Sequence, residues 1–435
     1  MTASANHPYV TRWGQLDNEF SSWRSHYEDI SGYLSPRTGR FLVSDRNRGD
    51  KRHNKILDSA GTMASLTLAA GMQAGMTSPA RPWFKLATPD KELNKYAPVK
   101  VWLADVTDLM LRIFSKSNVY RGLHAGYLEL GLYGTWSSIL QPDFKNVLHM
   151  HALTAGEYRI ATNWKGEVDT LYRQFDATVR QLVAEFGLEN VSESVRSAYN
   201  SNNLERWVTV VHAIQPRADS DRDLRKRDNR NMPWASVYFE LGARSGKYLR
   251  ESGLPSFRAL APRWDAMGGD IYGNSPGMVA LGDVRQLQHQ QLRKAQGIDQ
   301  MTNPAIALPM ASRNAEIDTL PGGVSFIDMQ GQAPGRNLVD VRIDLNHLLD
   351  DIQDVRYRID AAFFRDLFLM LANSKNPQMT ATEVAERHEE KMLMLGPTLE
   401  RLTAEEHIPL IDITWDLMVD AGMVPPPPQE MQGMD

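Results

Sequence analysis

Few residues of this chain have the type and spacing to do chemistry, and each candidate reaction is undercut by a neighbour. Gly273-Asn274-Ser275-Pro276-Gly277 has the spacing of a G-x-S-x-G nucleophile elbow, with Ser275 as the attacking hydroxyl. That motif takes one oxyanion donor from the main-chain N–H after the serine, and Pro276 has none. Ser275 as a helix N-cap with Pro276 in the first turn explains the same residues without a reaction, so a serine hydrolase is the alternative rather than the leading reading. His149 and His151 fall on one side of a strand, a spacing that can hold a metal, but neither an acid nor a third ligand accompanies them. Asp219, Asp221 and Asp223 alternate like a calcium loop, yet Arg222 interrupts them and the glycine and closing glutamate of an EF-hand are missing. There is no G-x-x-x-x-G-K-[ST], H-E-x-x-H or dinucleotide fingerprint, so nucleotide hydrolysis, zinc proteolysis and NAD chemistry lack their local signatures. With no cysteine, disulfides, thiolate metal sites and cysteine nucleophiles are excluded together. The expectation is a protein with no catalytic residue, no metal and no cofactor.

The composition, 42% hydrophobic and 23% charged over 435 residues, is that of a globular chain long enough for about three domains. No apolar run approaches the roughly 18 residues that would span a bilayer, and the N-terminus lacks the basic-then-apolar order of a signal peptide. A protein made and kept in a cytoplasm, without membrane contact, is expected. Twenty methionines suit interfaces that repack against different partners, or plain core filling. A net charge of -5 argues only against a tight nucleic-acid clamp, since a protein that lets DNA slide needs weak contacts. The charge is unevenly placed. Residues 217–263 hold eleven Lys or Arg against six acids, whereas 340–420 hold seventeen acids against eight bases. Arg217, Arg222, Arg225, Lys226, Arg227 and Arg230 crowd one loop, either as a docking surface for something acidic or as a solvated segment nearly neutralised by Asp219, Asp221, Asp223 and Asp228.

The elements that must position these groups follow from periodicity. Trp13, Leu16, Phe20, Trp23, Tyr27, Ile30 and Leu34 predict an amphipathic helix ended between Gly32 and Pro36, and a basic loop over 37–55 follows it. Residues 101–133 are helical by period, with Gly122, Gly126, Gly131 and Gly134 permitting breaks. Alternation over 147–172 predicts short strands with turns at Ala155-Gly156 and Lys165-Gly166, then a helix over 173–186 stopped by Gly187. Residues 206–214 and 234–241 read as strands flanking the charged loop. Leu281, Val284, Leu287, Gln291, Ala295 and Ile298 make a narrow apolar seam on a helix otherwise covered by Gln286, Gln288, His289, Gln290, Arg293 and Lys294. A seam that narrow demands a neighbouring helix. Strands and turns over 303–341 precede a helix over 351–372, with Val355, Ile359, Phe363, Leu367 and Leu371 on one face. Residues 373–377 break it, Thr380 and Glu383 form a capping box for a helix to about residue 402, and Pro409 interrupts a last helix ending at Gly422. Residues 425–428 are an extended proline tail.

The most distinctive stretch is 57–86. Asp58 or Ser59 can cap a helix rich in Ala and Gly that allows close packing; Thr77, Ser78, Pro79 and Pro82 stop it, and Trp83, Phe84 and Leu86 read as the start of a buried strand. Together with VDTLYRQFDATVRQLVAEFG (168–187), YGNSPGMVALGDVRQLQHQQLRKAQ (272–296) and MTATEVAERHEEKMLMLGPTLERL (379–402), the segment AGTMASLTLAAGMQAGMTSPARPWFKL (60–86) resembles the portal, or head-to-tail connector, proteins of short-tailed bacteriophages.

The resemblance implies an α+β, mainly helical subunit in a cyclic ring of about twelve copies at one capsid vertex, around a tunnel that double-stranded DNA enters and leaves. It implies a wing over 1–172, stem helices over 173–203 and 276–300 with a clip over 204–275 between them, and wing strands over 301–350. A tunnel helix and loop would occupy 351–379 and a crown and tail 380–435. The clip, with its six basic residues, would dock terminase and later tail adaptor proteins. Asn373, Ser374, Lys375 and Asn376 would form the loop facing DNA, with Lys375 its one cation. Capsid and scaffolding proteins are further implied partners, and a separate terminase would supply the packaging force. With only a short stretch after Pro425, no long helical barrel is expected, a departure from that pattern. A monomeric scaffolding or tail adaptor protein is a third reading, separated from the first by assembly state.

Overall fold

Pro8–Leu34 forms one long helix (α1) because its large apolar side chains recur every three or four residues; Trp13, Leu16, Phe20, Tyr27, Ile30 and Leu34 are all buried. In the computed structural model, the described residues are 8–41, 52–226, 228–243, 247–302, 306–307, 336–337, 345–372 and 395–431. The small-residue helix Ala60–Met76 (α2) starts where expected; Ser59 holds the N-cap position without a side-chain bond, and Asp58 before it supplies one instead, its Oδ1 accepting the Ala60 N–H at 2.9 Å. Its glycines admit large neighbours. A Cβ at Gly61 would meet Leu34 and Val284, and one at Gly71 would overlap the Phe368 ring.

The strand expected from Trp83 is absent. That segment is irregular, because Trp83 and Phe84 bury against Phe114 rather than pairing in a ladder; the Trp83 and Phe114 rings stack at 6.0 Å. Ala97–Lys116 (α3) and Val119–Tyr133 (α4) divide at Ser117-Asn118, not at a glycine. Gly122, Gly126 and Gly131 lie within α4 as points of close approach, Gly126 against the indole of Trp136. Gly134 alone ends a helix, with φ +73°.

Ser137–Asp143 (β1) and Val147–Leu153 (β2) form an antiparallel hairpin, followed by Tyr158–Thr162 (β3) and Val168–Thr178 (β4). The helix expected from residue 173 is corrected here. Through Thr178 the backbone pairs with the strand Trp207–Pro216 (β5), Arg173 opposite His212 and Phe175 opposite Val210. Helix starts only at Val179–Phe186 (α5), where Thr178 and Gln181 form a reciprocal capping box, and a second short helix covers Glu193–Asn200 (α6). Residues 173–203 therefore hold no single long helix. Trp234–Glu240 (β6) and Arg250–Leu254 (β7) complete a five-stranded sheet of order β3-β4-β5-β6-β7, and Ala259–Leu260 (β8) joins β1 in a three-stranded sheet of order β2-β1-β8. The larger sheet is covered on both faces. Trp13 and Leu16 of α1 pack with Tyr172, Val211, Ala213 and Phe239, while α5 and α6 pack with Ala177 and Val210.

Pro276–Thr302 (α7) carries the narrow seam, and the helix beside it belongs to the same chain: Leu345–Ala362 (α8). Leu281, Val284 and Leu287 are buried in the main core with Ile352, Val355 and Ile359. Gln288 and Gln290, expected on the outer covering, turn inward and are buried. The seam thus gives no reason of its own for a second subunit. The helix expected over 351–372 is interrupted after Ala362, since Phe364 takes φ +54° before Arg365–Ala372 (α9) resumes. Two-residue strands Ile306–Ala307 (β9) and Arg336–Asn337 (β10) pair with each other. The capping box at Thr380 and Glu383 and the break at 373–377 lie outside the described residues. Gly396–Leu402 (α10) runs through a π-helical turn, Thr403–His407, into Ile408–Asp420 (α11), with Pro409 in the first turn of α11. The proline is accommodated rather than interrupting. The fold is mixed helix and sheet with helix predominant, and no helix among the described residues is long and apolar enough to cross a membrane.

Candidate functional site

Ser275 is 2% exposed and sits between two helices. Its Oγ accepts the Met278 N–H at 3.0 Å, the N-cap bond expected, and donates to the Leu132 carbonyl at the end of α4 at 2.7 Å. Gly277 lies so close to α4 that a Cβ would meet the Leu132 oxygen at 2.6 Å. A hydroxyl buried this way, with its proton committed to a main-chain carbonyl, ties α7 to α4. His149 and His151 do sit together, ring centroids 4.5 Å apart, but His151 Nε2 pairs with Gln141 Oε1 at 3.1 Å, and burial lowers its pKa to about 4. Asp219 is taken by Arg222 at 2.5 Å and Asp223 lies 3.6 Å from Lys226 Nζ, so two of the three aspartates pair with cations of their own loop.

The basic loop joins β5 to β6, and its six cations have different tasks. Arg217 is inward: it donates to the Asn229 carbonyl at 2.8 Å and the Ser252 carbonyl at 3.0 Å, and lies 3.5 Å from Glu251. Its guanidinium clasps the two ends of the loop to β7. Arg222 folds onto Asp219, leaving Lys226, Arg225 and Arg230 as the exposed cations, the last two without an ion pair among the described residues. Arg227 lies outside the described residues, as do Asn373, Ser374, Lys375 and Asn376.

Of the polar groups that hold the molecule together, sequence points only to Asp58, and only as a cap candidate. Asp58 Oδ2 receives Arg356 Nη2 from α8 at 2.6 Å and Gln291 Nε2 from α7 at 2.8 Å. Gln288 Oε1 accepts the N–H groups of Leu57 and Asp58 at 2.6 and 2.8 Å. Burial pushes the Asp58 carboxyl up, but the Arg356 and Ala60 bonds outweigh it and hold the group below the usual range. Arg263, 4% exposed at its side chain, pairs with Glu405 at 2.6 Å and donates to the Gly166 and Asp270 carbonyls. Next to Glu405 in sequence, Glu406 is fully buried beside the Trp136 indole and the Tyr127 hydroxyl, without a cation paired to it among the described residues, and burial raises its pKa to about 8. The partners of these acids lie 140 to 300 residues away along the chain, which is why no local motif announces them.

No constellation among these residues assembles a nucleophile, base and oxyanion donor; long-range polar ties join the start of α2 to α7 and α8, and Arg263 to the C-terminal segment through Glu405. The fold carries an outward basic loop at one end of a sheet. Comparison with known proteins gives it a place. Residues 7–435 match the family described as bacteriophage head to tail connecting protein. The chain is 62% identical over 427 residues to the probable portal protein of Bordetella phage BPP-1, covering 98% of this chain and 77% of that one. It is 47% identical over 422 residues to the portal protein of Salmonella phage epsilon15, covering 97% and 76%. Since the family match takes in nearly every residue and two relatives are this similar along it, the chain belongs to the bacteriophage head to tail connecting protein family.

Proposed function

We propose that this protein is a portal: a homo-oligomeric ring, of about twelve copies, at the capsid vertex, through which double-stranded viral DNA is packaged and ejected. The observation that carries the reading is the match over residues 7–435, reinforced by two relatives named portal protein along almost the whole chain. The role is structural rather than enzymatic, in keeping with a Ser275 hydroxyl that serves as a cap. The ring assembles in the host cytoplasm and resides in the virion, with capsid and scaffolding proteins around it.

Within that reading, 1–172 and 301–350 form the wing, 204–275 the clip, 351–379 the tunnel helix and loop, and 380–435 the crown and tail. The stem consists of α7 (276–300 within it) and the segment 173–203, which contributes the end of β4 with two short helices instead of a second long one. Asn373, Ser374, Lys375 and Asn376 face the DNA. Terminase, then the tail adaptor, docks on the clip through Arg225, Lys226, Arg227 and Arg230, with Arg217 and Arg222 shaping the loop. Native mass spectrometry and negative-stain microscopy of the purified protein test the reading. Rings with a central opening are expected, and a strictly monomeric species at micromolar concentration and moderate salt would overturn it.

A further inference from the structure

The turn between β1 and β2 holds Phe144 entirely in solvent, at 110% of the reference exposure for its type. The turn that carries this ring is itself strained at its far end. Val147 has φ +67°, and the Leu148 N–H closes onto the Asn146 carbonyl at 2.7 Å, a three-residue turn in the left-handed region. A β-branched residue there is a genuine outlier, costing about 1–3 kcal/mol, and persists only where surrounding contacts impose it. Here they do: Val147 packs against the main core, and Asp143 Oδ2 accepts the Asn146 N–H at 3.1 Å. The β3–β4 turn offers the contrast. Trp164 is also exposed, but Lys165 lies over its ring at 5.5 Å and the turn relaxes through Gly166 at φ +80°.

An open, mostly apolar groove lies at the start of α3. It encloses about 420 Å³ and is lined by Pro98, Val101, Trp102, Asp105, Pro426 and Pro428. Its floor is preorganised: the Trp102 Nε1 donates to the Pro425 carbonyl at 3.1 Å, and the indole packs edge-on to Trp415. Asp105 is the one charged group in this lining and has no ion pair among the described residues. Of two other surface clefts, one sets Arg81, Arg112 and Lys116 against Asp108, and in the other Glu185 and Glu251 already pair with Arg250 and Arg217, so neither offers a lysine an unopposed, unpaired acid as Asp105 does. The residue after Phe144 is Lys145, exposed and likewise unpaired among the described residues.

We propose that Phe144 and Lys145 of one copy seat in the Trp102 groove of the next, the phenyl ring against Val101, Trp102 and Pro426 and the ammonium beside Asp105. The contact presupposes the ring. Knob and recess are different surfaces of one chain, so it is heterologous, the kind that closes a ring when repeated. Buried aromatic anchors carry most of the affinity of such interfaces, and the lysine-aspartate pair at the rim fixes register.

The cysteine-free sequence makes the test direct. Val101→Cys and Phe144→Cys, both at exposed positions, are purified separately, mixed, allowed to assemble and cross-linked with a short bis-maleimide. A dimer band is expected in the mixture and absent from either variant alone, and the double variant should give a ladder. Rings visible by microscopy without cross-linking above a Val101→Cys and Trp164→Cys control would overturn the contact while leaving the portal reading intact. Wild-type protein that never forms rings would overturn both. Independently, Lys145→Asp and Asp105→Lys should each lower the ring fraction about threefold or more, and the two reversals combined should restore it. Failure of the combination to recover would also count against the pairing.

Discussion

The guanidinium of Arg356 reaches the carboxylate of Asp58, Nη2 to Oδ2 at 2.6 Å, across 298 residues of sequence, so the carboxylate that takes the first N–H of α2 also anchors α8. One carboxylate answers a helix terminus and a charge partner together, with Gln291 from α7 as a third donor.

Replacing Asp58 should therefore cost more than a cap. Asp58→Ala is expected to lower unfolding stability by about 2 kcal/mol or more, summing a lost capping bond and orphaned donors. A double-mutant cycle with Arg356→Ala in chemical denaturation should give a coupling of about 1 kcal/mol. Because the folded carboxyl titrates below its ordinary value, this stabilisation is present above that value and lost as pH falls through the lowered one.

Glu406 works in the opposite sense. Its folded pKa of about 8 lies above the ordinary 4.5, so the folded state holds a proton that the unfolded chain releases between those values. Stability from this group is full below pH 4.5 and declines as pH rises towards 8. Glu406→Gln should match the parent at pH 4 and exceed it by about 5 kcal/mol above pH 8, measured by thermal or urea unfolding. A constant difference across that range would contradict the assignment.

Ser275→Ala removes both the cap on α7 and the donor to the Leu132 carbonyl. A loss of about 1–2 kcal/mol is expected. Assays with activated esters should find no serine-dependent turnover in either protein, and a turnover abolished by the substitution in a folded variant would revive the hydrolase alternative.

The basic loop separates into two classes by mutation. Arg225→Glu, Lys226→Glu and Arg230→Glu together should leave ring assembly intact and weaken attachment of terminase or tail adaptor, with wild-type attachment falling as salt approaches about 0.5 M. Arg217→Ala should instead loosen the loop itself, raising hydrogen exchange of the β6–β7 backbone. Equal attachment by the triple variant at every salt concentration would place docking elsewhere.

Periodic burial made much of the fold legible. The α1 face, the turns at Gly156 and Gly166, and the Ser275 cap all follow from local residue types. What local pattern misread was decided by partners far along the chain. Residues 173–178 have both helical and alternating readings, and pairing with β5 chose the strand; the helix signal that mattered was the Thr178-Gln181 box at the boundary. Trp83 and Phe84 look like a strand but satisfy their area against Phe114. The polar face of α7 looked solvated, yet Gln288 and Gln290 serve α2 and α8. In the basic loop, sequence identified the cluster but not the inward use of Arg217, which depends on carbonyls of residues 229 and 252.

The pairing of Arg263 with Glu405 also imposes an order in time. During synthesis the guanidinium emerges 142 residues before its carboxylate, and until then it is a cation whose folded position is nearly closed to water. A nascent or prematurely terminated chain therefore cannot settle this junction, and the surrounding packing stays provisional until the C-terminal segment arrives. Chains cut before Glu405 are therefore expected to carry an unanswered buried cation at this junction and to be less stable than chains cut after it, a difference that stepwise C-terminal truncation would read.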